Sequence, residues 1–280
     1  MTAKPIVAAT DGSEHSLLAV EWAAREAVLR GAPLRIVSVA AMPPRMMEQQ
    51  DVADIDTVAG VLRRDRDEAL AVAAGRAATT APDLLIDTDD LTGPPAEAIV
   101  ASGSGALMLV VGSRGRGAFA AMVLGSVSRY AASNASCPTV VVRDEPSSTH
   151  GLVGVGVGDL DSRTAALTFA FDEATARKAS LRAVHSVDTA PGLHHSDPEA
   201  AGRQLAELLA DWQRKYPEVP VSQDVVRGHP GQMLVDLSAR AELLVLGRHA
   251  SHTGLPGPGA VRNAVLHHAS GAVAVVPATS

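Results

Sequence analysis

A chain of 280 residues in which 46% are hydrophobic and 20% charged can bury a substantial core and is long enough for two domains. Its net charge of -7 repels polyanions, and aromatics at 2% leave few platforms for stacking on single strands, which argues against a nucleic-acid partner. The single cysteine, Cys137, rules out an intrachain disulfide and suits a reducing compartment, and with neither a leader-like h-region nor an apolar stretch of spanning length the expectation is a cytoplasmic protein with no membrane partner.

Lys4 to Thr10 is a continuous apolar run, the pattern of a strand covered on both faces of a parallel sheet, and it ends in Asp11-Gly12-Ser13. From Glu14 to Arg30 apolar residues recur at helical spacing, and Gly31 supplies the stop. Leu34 to Val39 reads as a second strand, which a helical crossover places parallel to the first. Residues 40–56, with Pro43-Pro44 and Met46-Met47, show no period and read as a loop over one rim. A long helix from about Thr57 to Thr80, a third strand near Leu84 to Thr88, and a helix opening at Gly93-Pro94-Pro95 follow, proline being tolerated in a first helical turn. Leu107 to Val111 is the fourth strand and Thr139 to Val142 the fifth. Such βα units build a doubly wound sheet whose ligand crevice lies outside the carboxyl ends of the strands, where strand order reverses. Asp11, Val39 and Gly112 should converge there.

The fourth strand runs into LMLVVGSRGRGAFAAMVLGSVS, a strand, a glycine-bearing loop and a helix start. Glycines let backbone approach an anion closely, Ser126 is expected to cap the helix whose positive end favours phosphate, and Arg114 and Arg116 add charge beside that cradle. Two residues separate Gly112 from Gly115, and nine separate Gly115 from Gly125-Ser126. With the opening strand IVAATDGS, the segment LTGPPAEAI and the closing NASCPTVVV, this spacing resembles the ATP-binding universal stress proteins. The resemblance implies a Rossmann-like fold with strand order 3-2-1-4-5. It also implies an ATP site formed by Ala9, Thr10, Asp11 and Val39 at the base and ribose end, and by Gly112, Arg114, Gly115, Gly117, Gly125, Ser126 and Val127 at the phosphates. Asp11 reads equally as an N-terminal cap of the first helix, and Val39 would offer only backbone groups to adenine. Magnesium would be held through the ATP phosphates.

The polar segment DEPSSTHG reads as a linker, after which the chain repeats itself: VGVGVGDLDSRTAALTFAFDEA echoes VAATDGSEHSLLAVEWAAREA, and LVLGRHA echoes VVGSRGR. The organisation expected is two tandem doubly wound five-stranded parallel-sheet α/β domains, at 1–143 and 152–280, joined by 144–151. In the second copy Gly158 stands where the first has Asp11 and Asp159 where it has Gly12, so the strand-one carboxylate has moved by one place or been lost. Gly247 matches Gly112, Ala250 replaces Gly115, eight residues then intervene, and Gly259-Ala260 replaces Gly125-Ser126, with Pro256 and Pro258 close by. Alanine resists positive φ and proline lacks a donor, so this copy is expected to bind ATP weakly or not at all.

Histidines gather in the second half, at His194-His195, His249, His252 and His267-His268, without the spacing of a zinc site, and loops or a helix end are the better reading. No GxSxG elbow, P-loop or cysteine–histidine pairing is present, so no catalytic residue is assigned. The functional expectation is a nucleotide-responsive regulator in stress adaptation or growth control, acting by binding rather than turnover. The resemblance adds a homodimer and an unidentified protein partner, with the apolar last strands PTVVVR and AVAVVP as candidate pairing edges, either between two chains or between the two domains of one chain. A nucleotide-independent dimeric interaction scaffold and a slow ATPase stay open beside it.

Overall fold

The computed structural model describes residues 3–40, 52–116, 124–143, 151–158, 164–187, 197–228, 230–248 and 258–278. The chain divides into two compact units, Met1–Val142 and Arg143–Ser280. Gly117, Asp159, His194-His195, His249, Ala250, His252, Pro256, most of the rim segment after Val39 and the linker residues 144–150 lie outside the described residues.

The first unit runs β1 (Ile6–Ala9), α1 (Glu14–Arg30), β2 (Leu34–Val39), α2 (Val52–Thr80), β3 (Ile86–Leu91), α3 (Pro95–Ser102), β4 (Met108–Gly112), α4 (Ser126–Asn134) and β5 (Thr139–Val142). All pairings are parallel and give the order β3-β2-β1-β4-β5, the 3-2-1-4-5 order of a doubly wound sheet. β1 is the switch point: Ile6 pairs with Leu34 of β2 on one side and with Met108 of β4 on the other. β1, β4 and β5 are buried along their whole lengths, the burial a sheet covered by helices on both faces requires. Gly31 ends α1 in the left-handed conformation, at φ 58°, its N–H and that of Ala32 turning back onto the carbonyls of Val28 and Ala27.

Two elements differ from the sequence reading. Helix α2 begins at Val52 rather than near residue 57, because Val52–Asp56 contains no glycine or proline to break it. β3 is displaced toward the carboxyl end, to Ile86–Leu91, where Leu34 N–H bonds the Leu85 carbonyl and Leu34 registers with Ile86. The apolar Leu84-Leu85 suggested the earlier start, yet the edge strand itself carries exposed Asp87, Asp89 and Asp90, charges that suit the rim of a sheet.

The second unit repeats the plan with β6 (Leu152–Val157), α5 (Thr164–Arg177), β7 (Ser180–Val187), α6 (Pro198–Lys215), β8 (Val221–Arg227), α7 (Gly231–Ser238), β9 (Leu243–Arg248), α8 (Pro258–His268) and β10 (Val273–Pro277). Its order is β8-β7-β6-β9-β10, again parallel throughout. Register fixes the equivalences: Val153 pairs with Leu243 as Ile6 pairs with Met108, so Gly158 occupies the place of Asp11, Gly247 that of Gly112 and Arg248 that of Ser113. No helix among the described residues is long and apolar enough to cross a membrane.

Candidate functional site

In the first unit the carboxyl ends of β1 and β4 lie side by side, and the turns that leave them meet. The β1–α1 turn is held by a relay of short side chains. The Thr10 and Ser16 hydroxyls lie 3.0 Å apart, Gly12 N–H donates to Thr10 Oγ1 at 3.1 Å, and Ser16 Oγ donates to the Ser13 carbonyl at 2.8 Å. Ser13 is the N-cap of α1, its side chain accepting from Ser16 N–H. The capping role considered for Asp11 therefore belongs to Ser13, two residues later. Gly12 sits at φ 77°, the one position in the turn that needs glycine for its backbone conformation.

Asp11 spans the two turns. Its Oδ1 accepts from Ser13 N–H at 3.1 Å and Ser13 Oγ at 2.6 Å, while Oδ2 accepts from Arg116 N–H, across the crevice, at 2.7 Å. Burial pushes its carboxyl up, but the Ser13 hydroxyl and the N–H groups of Arg116 and Ser13 outweigh that and hold it below the usual carboxylate range. The Ser13 hydroxyl also lies 3.5 Å from the Arg114 carbonyl. Asp11 is thus the clamp that fixes the β4 loop to β1.

The glycines of that loop serve contacts within the protein. A Cβ on Gly112 would stand 2.5 Å from the His15 carbonyl oxygen and 2.9 Å from Ser16 N, because the first turn of α1 packs directly on the end of β4. A Cβ on Gly115 would collide with Asp11 Oδ2. Neither has positive φ. Close approach of protein backbone at Gly112 and of a carboxylate at Gly115 accounts for glycine at both positions. Gly117 lies outside the described residues.

At the far side of the loop Gly125, not Ser126, is the N-cap of α4, in extended conformation and with no side-chain capping bond; Ser126 is the first helical residue and is exposed. This corrects the expected cap. Gly125 N–H donates to the Ser113 carbonyl at 2.7 Å and Ser128 Oγ to the Gly112 carbonyl at 2.6 Å, so the helix start is tied to the end of β4. The N–H groups that follow have no intrahelical acceptor and no acidic residue occupies the first turn, which leaves a positive helix end facing the loop. Beside it, Ser113 Oγ, in a residue only 1% exposed, and the buried Nε of half-buried Arg114 have no hydrogen-bond partner among the described residues. Arg116, by contrast, sends its guanidinium over Gly12 toward Asp65 of α2, 3.8 Å away. It supplies the loop's tether through its backbone, not a charge to the cradle.

The remaining positions are quieter. Ala9 and Thr10 are buried, Thr10 N–H bonding the Val37 carbonyl, so only their backbone could face a ligand. Val39, half-buried at the end of β2, pairs with Leu91, and Val127 is half-buried in the first turn of α4. Ser13, Ser16, Ser113 and Ser128 were not singled out by sequence reasoning; the spacing Ser13-x-x-Ser16 and the place of Ser128 three residues after Gly125 are the signals that would have found them. Among the described residues no group of three or more His, Cys, Asp or Glu side chains could hold a metal ion.

The model of the universal stress protein family matches residues 2–143 and again 151–277. A universal stress protein of Mycobacterium tuberculosis is 37% identical over 94% of this chain and 94% of its own length, and one from Mycolicibacterium smegmatis is 33% identical over 97% and 96%. Among solved structures, a universal stress protein from Archaeoglobus fulgidus superposes with a TM-score of 0.74 at 18% identity, covering 99% of both chains. A Pseudomonas aeruginosa structure of the same description reaches 0.63 at 16% identity, with 99% of this chain and 94% of that one covered.

Proposed function

Because the chain belongs to the universal stress protein family, as a tandem of two such domains, we propose that its first unit binds ATP in the crevice between β1 and β4 and that the protein acts as a nucleotide-responsive regulator. The observation that carries this reading is the start of α4, without a side-chain cap, set beside two donors that have no partner among the described residues, Ser113 Oγ and Arg114 Nε. A buried polar group without a partner is costly, and a phosphate seated at the helix start would give these donors an acceptor.

In that arrangement the N–H groups of Ser126 and Val127 face the phosphates with the α4 dipole behind them, and Ser113 and Arg114 close the side of the cradle. Asp11 holds the loop in this shape through Arg116 N–H, and Ala9, Thr10 and Val39 offer backbone toward the base. Magnesium, when bound with the nucleotide, neutralises phosphate charge; the protein's part is to present donors, so the ion is carried by the phosphates and water. The job is binding, not turnover: nucleotide favours one state of the protein over another, in a cytoplasmic stress or growth-control role, with a homodimer as the working assembly.

Protein purified without added nucleotide, denatured and analysed by chromatography and mass spectrometry, is expected to release an adenine nucleotide at one per chain. A chain that releases none, and that shows no thermal shift when ATP is then added, would act as a nucleotide-independent scaffold instead.

A further inference from the structure

At the end of the first unit away from its crevice, the carboxyl ends of α1 and α2 meet the amino ends of β2 and β3. A cavity of about 670 Å³ opens there, lined among others by Arg25, Val28, Ala81, Asp83 and Leu85. Leu85 is 73% exposed and Val28 59%, the two most exposed large apolar residues among the described residues. Arg25 and Asp83 are exposed beside them, and neither side chain has an ion-pair or hydrogen-bond partner among the described residues.

The second unit builds the same end and closes it with its own side chains. Backbone bonds fix the equivalences: Leu34 N–H bonds the Leu85 carbonyl as Leu181 N–H bonds that of Pro220, and Ala81 N–H bonds the Ala77 carbonyl as Tyr216 N–H bonds that of Trp212. The closing turns at Gly31 and Lys178 likewise align Ala24 with Phe171, Arg25 with Asp172 and Val28 with Thr175. Phe171, Trp212 and Tyr216 stack in the second unit, with ring centroids 5.2 to 6.3 Å apart, where the first has three alanines. The Tyr216 hydroxyl donates to Asp172 at 2.7 Å, and the Thr175 hydroxyl donates to Glu218, the counterpart of Asp83, at 3.1 Å. Groups that the second unit pairs within the chain are thus left to solvent in the first.

Exposed apolar side chains around a cavity mark a contact surface, and the charges beside them indicate the partner. This face carries one cation and one anion, both unpaired, which makes it complementary to itself: a two-fold axis through it sets Arg25 of one chain against Asp83 of the partner subunit, and the reverse. We propose that this end of the first unit is the face through which two copies of the chain pair, with Val28 and Leu85 at its apolar centre and two Arg25–Asp83 ion pairs across the axis. The inference rests on the homodimer reading and gives that dimer an interface other than the last strands. Such a dimer leaves the nucleotide crevice of each chain open, because the crevice lies at the opposite ends of the strands.

The test is sedimentation velocity over a dilution series of the full chain, for the parent, Arg25→Asp, Asp83→Arg, the double variant with both reversals, and Leu85→Glu. These side chains are exposed, so native circular dichroism and melting are expected in every variant and separate lost pairing from lost fold. Each single reversal sets like charges opposite one another twice, and should weaken the dimer about tenfold or more, while the double reversal restores opposite signs and should return it to within about threefold of the parent. Leu85→Glu should give a monomer. A dimeric parent whose variants all pair as it does would overturn the face and leave the homodimer standing. Single reversals that weaken the dimer without rescue in the double variant would overturn the ion pairs, and a monomeric parent would overturn both the face and the homodimer, the patch then belonging to a partner of another kind.

Discussion

At the level of single residues the first crevice turns on Asp11, which accepts from three donors on two different turns. Asp11→Ala strands the N–H groups of Ser13 and Arg116, and should cost about 2 kcal/mol of stability in the first unit as well as at least tenfold in ATP affinity. Denaturant unfolding paired with ATP titration checks both. Because the folded carboxyl lies below its ordinary value, its contribution is complete above an unfolded pKa of about 3.9 and is lost as pH falls below that, toward the folded value. Stability measured from pH 7 down to 3 should therefore fall more shallowly at the acid end in Asp11→Ala than in the parent. The neighbouring glycines report packing. Gly112→Ala forces a methyl against the His15 carbonyl and should cost about 2 kcal/mol, although no ligand need be near it. The sequence made Asp11 and the glycine spacing visible, since side-chain identity and interval are all that such a pattern contains. It could not show that the glycines clear a path for α1 and for a carboxylate, because both contacts are made by segments about 100 positions away, as Asp11 and Arg116 are at a separation of 105. Nor could it distinguish Gly125 from Ser126 as the helix cap, a difference set by backbone torsion.

At the level of elements, α1 and α5 are the same helix written twice. Buried Glu26 faces Arg30 in the first and Glu173 faces Arg177 in the second, with Glu242 a further 3.6 Å partner of Arg177. Removing Glu173 takes away the nearer carboxylate and leaves Arg177 with Glu242, so Glu173→Ala should destabilise the second unit by about 2 kcal/mol, read as an earlier unfolding transition in calorimetry. The helix ends differ in one informative way. Gly31 closes α1 at φ 58°, and Lys178 closes α5 at φ 52° with the same pair of backbone bonds, from Lys178 N–H to Thr175 and from Ala179 N–H to Ala174. A side chain there is strained, so Lys178→Gly should stabilise the second unit by about 1 kcal/mol, a rise in melting temperature being the readout. Helix and strand positions were legible where apolar periodicity was strong, as in α1, β2 and β5. They were less so for β3, whose polar face is allowed by its place at the sheet edge, which local sequence does not reveal.

On the scale of the whole molecule, one fold has been kept twice while its crevice has diverged. Both units carry the 3-2-1-4-5 order, and that order was readable because repeated strand and helix patterns determine a small set of topologies. The fate of the second crevice was legible as substitutions alone: Ala250 in place of Gly115 and Gly158 in place of Asp11 are plain in sequence. Light scattering should report twice the 28.8 kDa chain mass for the proposed homodimer, and a monomer mass would remove it. The central claim, that the first unit is a nucleotide site and the second is not, is tested most directly by equilibrium titration with ATP, counting nucleotides bound per chain in the parent and in an Asp11→Ala, Gly125→Trp double variant. One ATP per parent chain and none in a folded double variant is the result predicted. Undiminished binding in that variant, or no binding by the parent, would contradict it.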